Sequence, residues 1–277
     1  MDIAELAEGL TEVEPGLFRS VRTEEVSYRD EAHDLYLDLE ERSFWFRHRN
    51  DCIAALVERH PPPGILLDVG GGNGFVSKRL LSEGVDTILL EPGERGARNA
   101  RLRRGLPVVI WATLADARIR PGSLGGVGAF DVLEHLEHPE QFCDEVADLL
   151  SPDGMLYATV PVGRWLWSPA DIDAGHHRRY SEKSLKKLLE PRFEILHLSH
   201  FFRPLVLPLF LFRALPYRLG IARRRQLLPT ATEHAAGKAT LSRALQLLHA
   251  SEVRYIRSGR ALQTGASCLV AARRRSA

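Results

Sequence analysis

Leu66-Leu67-Asp68-Val69-Gly70-Gly71-Gly72-Asn73-Gly74-Phe75 decides the fold of this chain. A short apolar run of the kind buried on both faces of a sheet delivers the backbone into a turn with glycine at 70, 72 and 74. Phe75–Ser82 then has helical spacing. The glycines remove the side chains that would hold a ligand away from the main chain. Seventeen residues after Gly74, Glu91 closes a second apolar run, Thr87–Leu90, where a carboxylate can accept hydrogen bonds from both hydroxyls of a ribose. The loop and the acid together predict a nucleoside-bearing ligand.

Outward from the loop the same alternation continues. Val108–Trp111, Val127–Phe130 and Met155–Val160 read as buried strands, and Glu94–Arg103 and Pro139–Leu150 between them are helix-compatible, so the pattern is βαβαβ with a parallel sheet. Ser181-Glu182-Lys183-Ser184 looks like a capped helix start, Phe193–Phe201 a further strand and Ser267–Ala272 the last. Upstream, Pro61-Pro62-Pro63-Gly64 breaks a helical stretch and sets a boundary. The expected organisation is a helical lid or substrate segment over 1–60, an α/β core over 61–202, a helical insertion over 203–262, and the last core strand with a basic tail over 263–277. The insertion is inferred because some sixty residues are too many for a bare loop in a compact domain.

Composition excludes several classes. With 44% hydrophobic and 26% charged residues the 277-residue chain is a folded globular type, outside the disordered and collagenous ranges. Thirty-seven basic against thirty-six acidic residues leave a net charge of +1, unlike a protein organised around many phosphates, so no nucleic-acid partner is expected. Cys52, Cys143 and Cys268 are far apart and form no metal-binding pair, which suits a reducing cytoplasm. The start Met-Asp-Ile-Ala-Glu lacks the basic and apolar regions of a secretory signal, so a cytoplasmic location is expected.

Glycine spacing distinguishes the nucleoside. A dinucleotide fingerprint needs G-x-G-x-x-G, and starting from Gly70 or Gly72 the third glycine falls on Phe75 or Ser77. Asp68 at the strand end adds a negative charge that suits an ammonium-bearing ligand better than a pyrophosphate. S-adenosylmethionine carries both a sulfonium and an amino group.

The chain resembles the class I S-adenosylmethionine-dependent methyltransferases that act on small molecules. The resemblance rests on the Asp68–Gly74 loop, Glu91-Pro92, Phe130-Asp131-Val132-Leu133-Glu134-His135, and Leu150-Ser151-Pro152-Asp153-Gly154 before Met155–Pro161, in that order. It covers residues 65 to about 200 and implies a doubly wound, mostly parallel sheet of seven strands whose last strand is antiparallel. It also implies S-adenosyl-L-methionine as cofactor. Gly70, Gly72, Asn73 and Gly74 would lie along its methionine and ribose, Asp68 near the amino end, and Glu91-Pro92 at the ribose. Phe130 and Asp131 would flank the methionyl group. The place where the family often has an adenine-binding acid holds Thr113, with Asp116 slightly beyond. Phe44–Arg49 could fold over the cofactor, with Arg49 or His48 meeting the methionine carboxylate.

Methyl transfer needs a base only where the acceptor must lose a proton, and His135 and His176 are the titratable groups best placed by motif. Oxygen is the expected acceptor atom. The Asp131–His135 run also resembles ubiquinone-pathway O-methyltransferases, in which acids and histidine can hold a divalent metal. Metal is not favoured, because Glu134 and His135 are adjacent and nothing else in the sequence completes a shell. Trp165–Tyr180, following the fifth strand, is the expected acceptor loop, with Asp171 pairing Arg178 or Arg179 as its structural alternative. A protein of the same fold that binds the cofactor without catalysis, as a partner or regulator, is the alternative from another class.

The most apolar window, Phe201–Gly220, is interrupted by Arg203, Arg213 and three prolines, so a membrane span is disfavoured. It reads either as a buried helix pair or as a peripheral membrane contact whose Arg213, Arg218 and Arg223-Arg224-Arg225 meet anionic headgroups.

Overall fold

Leu66–Val69, buried at every position, lies at the centre of a single sheet, with the strands ending at Glu91 and at Phe130 on its two sides. The computed structural model describes residues 3–20, 32–221 and 243–276. Along the chain run β1 (Leu10–Glu14), β2 (Leu17–Ser20), α1 (Ala32–Arg42), α2 (Phe44–Arg59), β3 (Leu66–Val69), α3 (Phe75–Ser82), β4 (Thr87–Glu91) and β5 (Val109–Trp111). There follow β6 (Leu124–Phe130), α4 (Pro139–Leu149), β7 (Leu150–Pro161), α5 (Glu182–Leu189), β8 (Phe193–Phe201), α6 (Arg243–Arg257) and β9 (Ser267–Arg274).

The strand order is β1-β2-β5-β4-β3-β6-β7-β9-β8. Strands β3 to β7 pair in parallel, and β9 inserts antiparallel between β7 and β8. This is the expected doubly wound α/β architecture with an antiparallel last strand. The strand count differs. Residues 1–60 do not form helices alone: β1 and β2 make a hairpin, and β2 joins the sheet in parallel with β5, giving nine strands instead of seven. The local signal is Pro15-Gly16 between two short runs of strand-compatible residues. Gly16 takes a φ of +75° at the turn, and its N–H donates to the Glu12 carboxylate at 2.7 Å. The expected helix Glu94–Arg103 is also irregular, an α-helix over Glu94–Arg98 that widens into a π-helical turn over Asn99–Arg103.

Alternation along the strands divides the core. Leu156, Ala158 and Val160 of β7 face α4 and α5 through Phe142, Val146, Leu185 and Leu189. Met155 and Tyr157 face the opposite layer, where α2, α3 and α6 contribute Ile53, Leu56, Leu80 and Ile256. The second layer is tied together by Glu252 of α6. Its carboxylate accepts the N–H groups of Phe202 (3.0 Å) and Arg203 (2.8 Å) and sits 2.7 Å from His48 Nε2. His249, stacked on His48 at 4.1 Å, is pushed down to a pKa of about 4 by burial and by the neighbouring His48.

After β8, Arg203–Arg218 is helical throughout but uneven. A 3-10 turn, an α turn, a π turn over Phe210–Ala214 and another α turn follow one another, with Pro204, Pro208 and Pro216 withholding backbone donors. Among the described residues no helix is long and apolar enough to cross a membrane. Residues 222–242 of the expected helical insertion, with Arg223-Arg224-Arg225, lie outside the described residues.

Candidate functional site

A cavity of about 570 Å³ opens at the carboxyl ends of β3, β4, β6 and β7, within the roughly 300–1,000 Å³ range of small-molecule and cofactor sites. It lies where the chain turns one way from β3 to β4 and the other way to β6, the switch point at which open α/β sheets bind ligands.

The loop after β3 forms one wall. Gly70 and Gly72 line the cavity, with φ of +66° and +57°. Gly71 lines it too, and a Cβ there would stand 2.2 Å from Leu89 Cδ1 and 2.6 Å from Asp68 Oδ2, so the loop closes only with glycine. Asp68 is fully buried. Its Oδ2 accepts the Ser77 hydroxyl at 2.5 Å, and its Oδ1 has no protein partner. Burial raises its pKa to about 6, against the lowering pull of the Ser77 hydrogen bond and Arg49.

Glu91 is also buried and its two oxygens are oriented by the backbone: Oε2 accepts the Gly72 N–H and Oε1 the Gly93 N–H, both at 2.8 Å. The acid that ends β4 thus fastens the glycine loop as well as facing the cavity. Pro92 and Thr113 line the same side. Thr113 caps the helical turn Leu114–Ala117 and exchanges hydrogen bonds with Asp116, which does not reach the cavity.

Two expected cofactor residues do not line the cavity. Asn73 points away, donating to the carbonyl of His33 (2.9 Å) and accepting from Asn99 Nδ2 (3.2 Å), so it secures α1 to the loop. Gly74 starts α3, and its missing Cβ makes room for Leu106, which a Cβ would approach to 2.5 Å. His48 is likewise elsewhere, in the pair with Glu252. Helix α1 contributes wall residues that no motif announced, His33, Tyr36 and Glu40, because an amphipathic helix looks the same whether it covers a core or a cofactor.

The first two turns of α2, capped by Ser43, present Trp45, Phe46 and Arg49 to the cavity. Arg49 pairs with Asp131, the left-handed residue (φ +59°) that follows β6 and accepts the Thr159 hydroxyl at 2.9 Å. Trp45 stacks on Phe202 at 3.8 Å, closing the side next to the Arg203 segment. Phe130 lines the floor.

At the far end stand Glu134, His135 and His176. His176 comes from the β7–α5 connection, and its Nδ1 lies 3.1 Å from Asp171 Oδ1. Asp171 is 1% exposed and is held by Arg179 Nε (2.7 Å) and by the N–H and hydroxyl of Ser168 (2.9 and 3.2 Å). Burial pulls its pKa up, but the His176 hydrogen bond and the Arg179 guanidinium outweigh that and hold it below the usual value. His135 meets the edge of the His176 ring at 4.8 Å and is pushed down to about 4, first by burial and then by His176. Glu134 is raised well above the ordinary carboxyl range by burial and by Asp131.

The rest of the expected acceptor loop does other work. His177, Trp165 and Trp167 are not part of the cavity wall. Arg178 donates to the carbonyls of Leu136 and Glu137, which leaves Arg179 as the partner of Asp171.

Charge and shape both fit S-adenosylmethionine: a buried carboxylate oxygen without a protein partner at Asp68, an open backbone cradle at Gly70–Gly72, and an oriented carboxylate at Glu91. A metal is a separate matter. Nothing outside the Asp131–His135 run completes a shell in the sequence, yet folding brings His176 to Glu134 and His135, with donor atoms within 4.8 Å of one another. This mixed nitrogen and oxygen set is of the kind zinc or magnesium accepts.

The sequence profile of the family described as "Methyltransferase domain" matches residues 41–197, more than half of the chain. The chain belongs to this methyltransferase family. It is 27% identical over 155 residues to a probable S-adenosylmethionine-dependent methyltransferase of Mycobacterium tuberculosis, covering 55% of this chain and 56% of that protein. It is 28% identical over 141 residues to the ubiquinone biosynthesis O-methyltransferase of Pectobacterium carotovorum, covering 48% and 59%. The chain thus spans somewhat over half the length of the curated relatives it matches. Among solved structures, phosphoethanolamine N-methyltransferase 2 of Haemonchus contortus with S-adenosyl-L-methionine aligns over 91% of this chain and 58% of that one. Its TM-score is 0.55 at 16% identity, a likeness of fold.

Proposed function

We propose that the protein transfers the methyl group of S-adenosyl-L-methionine to a hydroxyl oxygen of a small-molecule acceptor. The observation that carries this reading is that one cavity joins the Asp68–Glu91 cradle to a histidine whose far nitrogen is held by a buried aspartate. The likeness to the ubiquinone biosynthesis O-methyltransferase supports oxygen as the acceptor atom.

When bound, the cofactor supplies an electrophilic methyl on a positively charged sulfur. The chain supplies position and a proton acceptor. Asp68 would hold the cofactor's ammonium, Glu91 its ribose hydroxyls, and Arg49, steadied by Asp131, its carboxylate. The acceptor hydroxyl lies at the histidine end. With the methyl supplied by the cofactor, Nε2 of His176 would take the proton that the acceptor hydroxyl gives up. Asp171 orients that ring through Nδ1 and stabilises the imidazolium. His135, neutral at physiological pH with its pKa near 4, adds a polar neighbour without a competing charge.

Calorimetric titration with S-adenosylmethionine and its demethylated product, followed by a labelled-methyl screen of phenols, catechols and aliphatic alcohols, tests the reading. Micromolar binding and label transfer to oxygen are expected. Binding without transfer to any acceptor would favour a cofactor-binding regulator, and transfer to nitrogen would overturn the choice of atom.

A further inference from the structure

The segment from Arg203 to Ile221 is apolar on two sides. Leu205, Val206, Leu209 and Phe210 pack against the core, whereas Leu207 (62% exposed), Leu211, Phe212 (79%), Leu219 and Ile221 (73%) face outward among the described residues. A surface helix of a globular domain sets one apolar stripe against a polar face. This segment has no such polar face.

Its charge is segregated as well. No acidic residue occurs from Ile195 to Thr232, yet that stretch holds Arg203, Arg213, Arg218, Arg223, Arg224 and Arg225, in a chain whose net charge is only +1. Exposed apolar side chains flanked by arginines fit an element lying in the plane of an anionic interface. They do not fit two-fold pairing with a second copy, which would set the same arginines against each other. Trp165, 44% exposed and in edge contact with Phe210 at 5.4 Å, adds an aromatic side chain of the kind enriched at such boundaries.

We propose that Leu207, Leu211 and Phe212 dock this segment into an anionic lipid bilayer, with Arg203 and Arg218 against the headgroups. Leu209 and Arg213 of the same segment line the cavity. Docking therefore sets one cavity wall on the bilayer, and the acceptor is an amphiphile held in or delivered from that bilayer. This last clause rests on the methyltransferase reading; the docking does not.

The test is co-sedimentation of the full chain with vesicles of phosphatidylglycerol and phosphatidylcholine, against phosphatidylcholine alone, with circular dichroism as the check of folding and cofactor calorimetry on every sample. The full chain is expected to sediment with the anionic vesicles, and less at about 0.5 M salt. Phe212→Glu or Leu211→Glu is expected to lower partitioning about tenfold or more with cofactor affinity unchanged. Arg218→Glu is expected to weaken binding to the anionic vesicles only. Failure of the full chain to bind anionic vesicles overturns the proposal, including the case in which residues 222–242 cover the face. A dimer that Phe212→Glu dissolves, without vesicle binding, overturns it in favour of a second copy. Vesicle binding by a chain that binds no cofactor would leave the docking standing and remove the methyltransferase reading.

Discussion

The loop end of the cavity, Asp68 to Pro92, is one continuous strand–turn–helix–strand unit. The histidine end gathers Asp131, Glu134 and His135 from the connection after β6, Asp171, His176 and Arg179 from the connection after β7, and Arg49 from α2. The first end works largely through backbone. Its glycines clear a cradle, and two of its amides orient Glu91. The second works through side chains whose ionisation is set by burial and by one another, with Asp171 held down and His135 and Glu134 kept from charging. A ligand common to a whole family can be bound by local, backbone-based geometry, while a particular acceptor calls for groups from separate elements.

Four experiments would break or sharpen that contrast, from the largest effect to none. Asp171→Asn, which keeps volume and removes the charge that orients His176, is expected to lower kcat by about 10²–10⁴-fold while cofactor affinity stays within about twofold. Wild-type turnover in that variant would remove the histidine from proton transfer. Glu91→Ala, acting on the other end, is expected to weaken cofactor binding by roughly 1–3 kcal/mol, since both a ligand contact and the anchor of two loop amides are lost. Unchanged affinity in a folded variant would refute the ribose role.

The third experiment concerns pH. Asp68 titrates near 6 in the free protein because it is buried, and a bound ammonium favours the carboxylate. Cofactor binding then releases a proton at and below that pH. Affinity is expected to be flat above about pH 7 and to fall by up to about tenfold per unit below pH 6. Calorimetry in buffers of different ionisation enthalpy reads the released proton directly, and a flat profile from pH 5 to 8 would separate Asp68 from the ammonium. The smallest expected effect is that of chelation. EDTA should leave turnover unchanged if His176 acts as a base, and a loss restored by added zinc or magnesium would reassign Glu134, His135 and His176 as metal ligands.

Legibility in the sequence follows the same division. That Asp68, Gly70, Gly72 and Glu91 line one cavity was readable because a buried strand, a glycine turn and an acid at the next strand end are neighbours in the chain, and each constrains the others. Asn73 and Gly74 belong to the same motif but turn out to support it from behind, one bonding α1 and the other admitting Leu106. The alternation of glycine with other residues does not reveal which positions face the ligand. The β1–β2 hairpin carried only a Pro-Gly signal, too short to compete with the helical character of residues 32–59. His33, Tyr36 and Glu40 carried none.

By itself the sequence determined the doubly wound sheet, the glycine turn after β3 and the acid at the end of β4. These depend on apolar runs, turn residues and spacings within some twenty-five residues of one another. Only the tertiary structure decided that His176 meets Asp171 and His135, that Arg49 reaches Asp131, that His48 serves the core, and that Leu207, Leu211 and Phe212 face outward among the described residues. Each is a contact, or the lack of one, between residues distant in the chain, set by how the helices pack on the sheet and not by any local preference of the residues concerned.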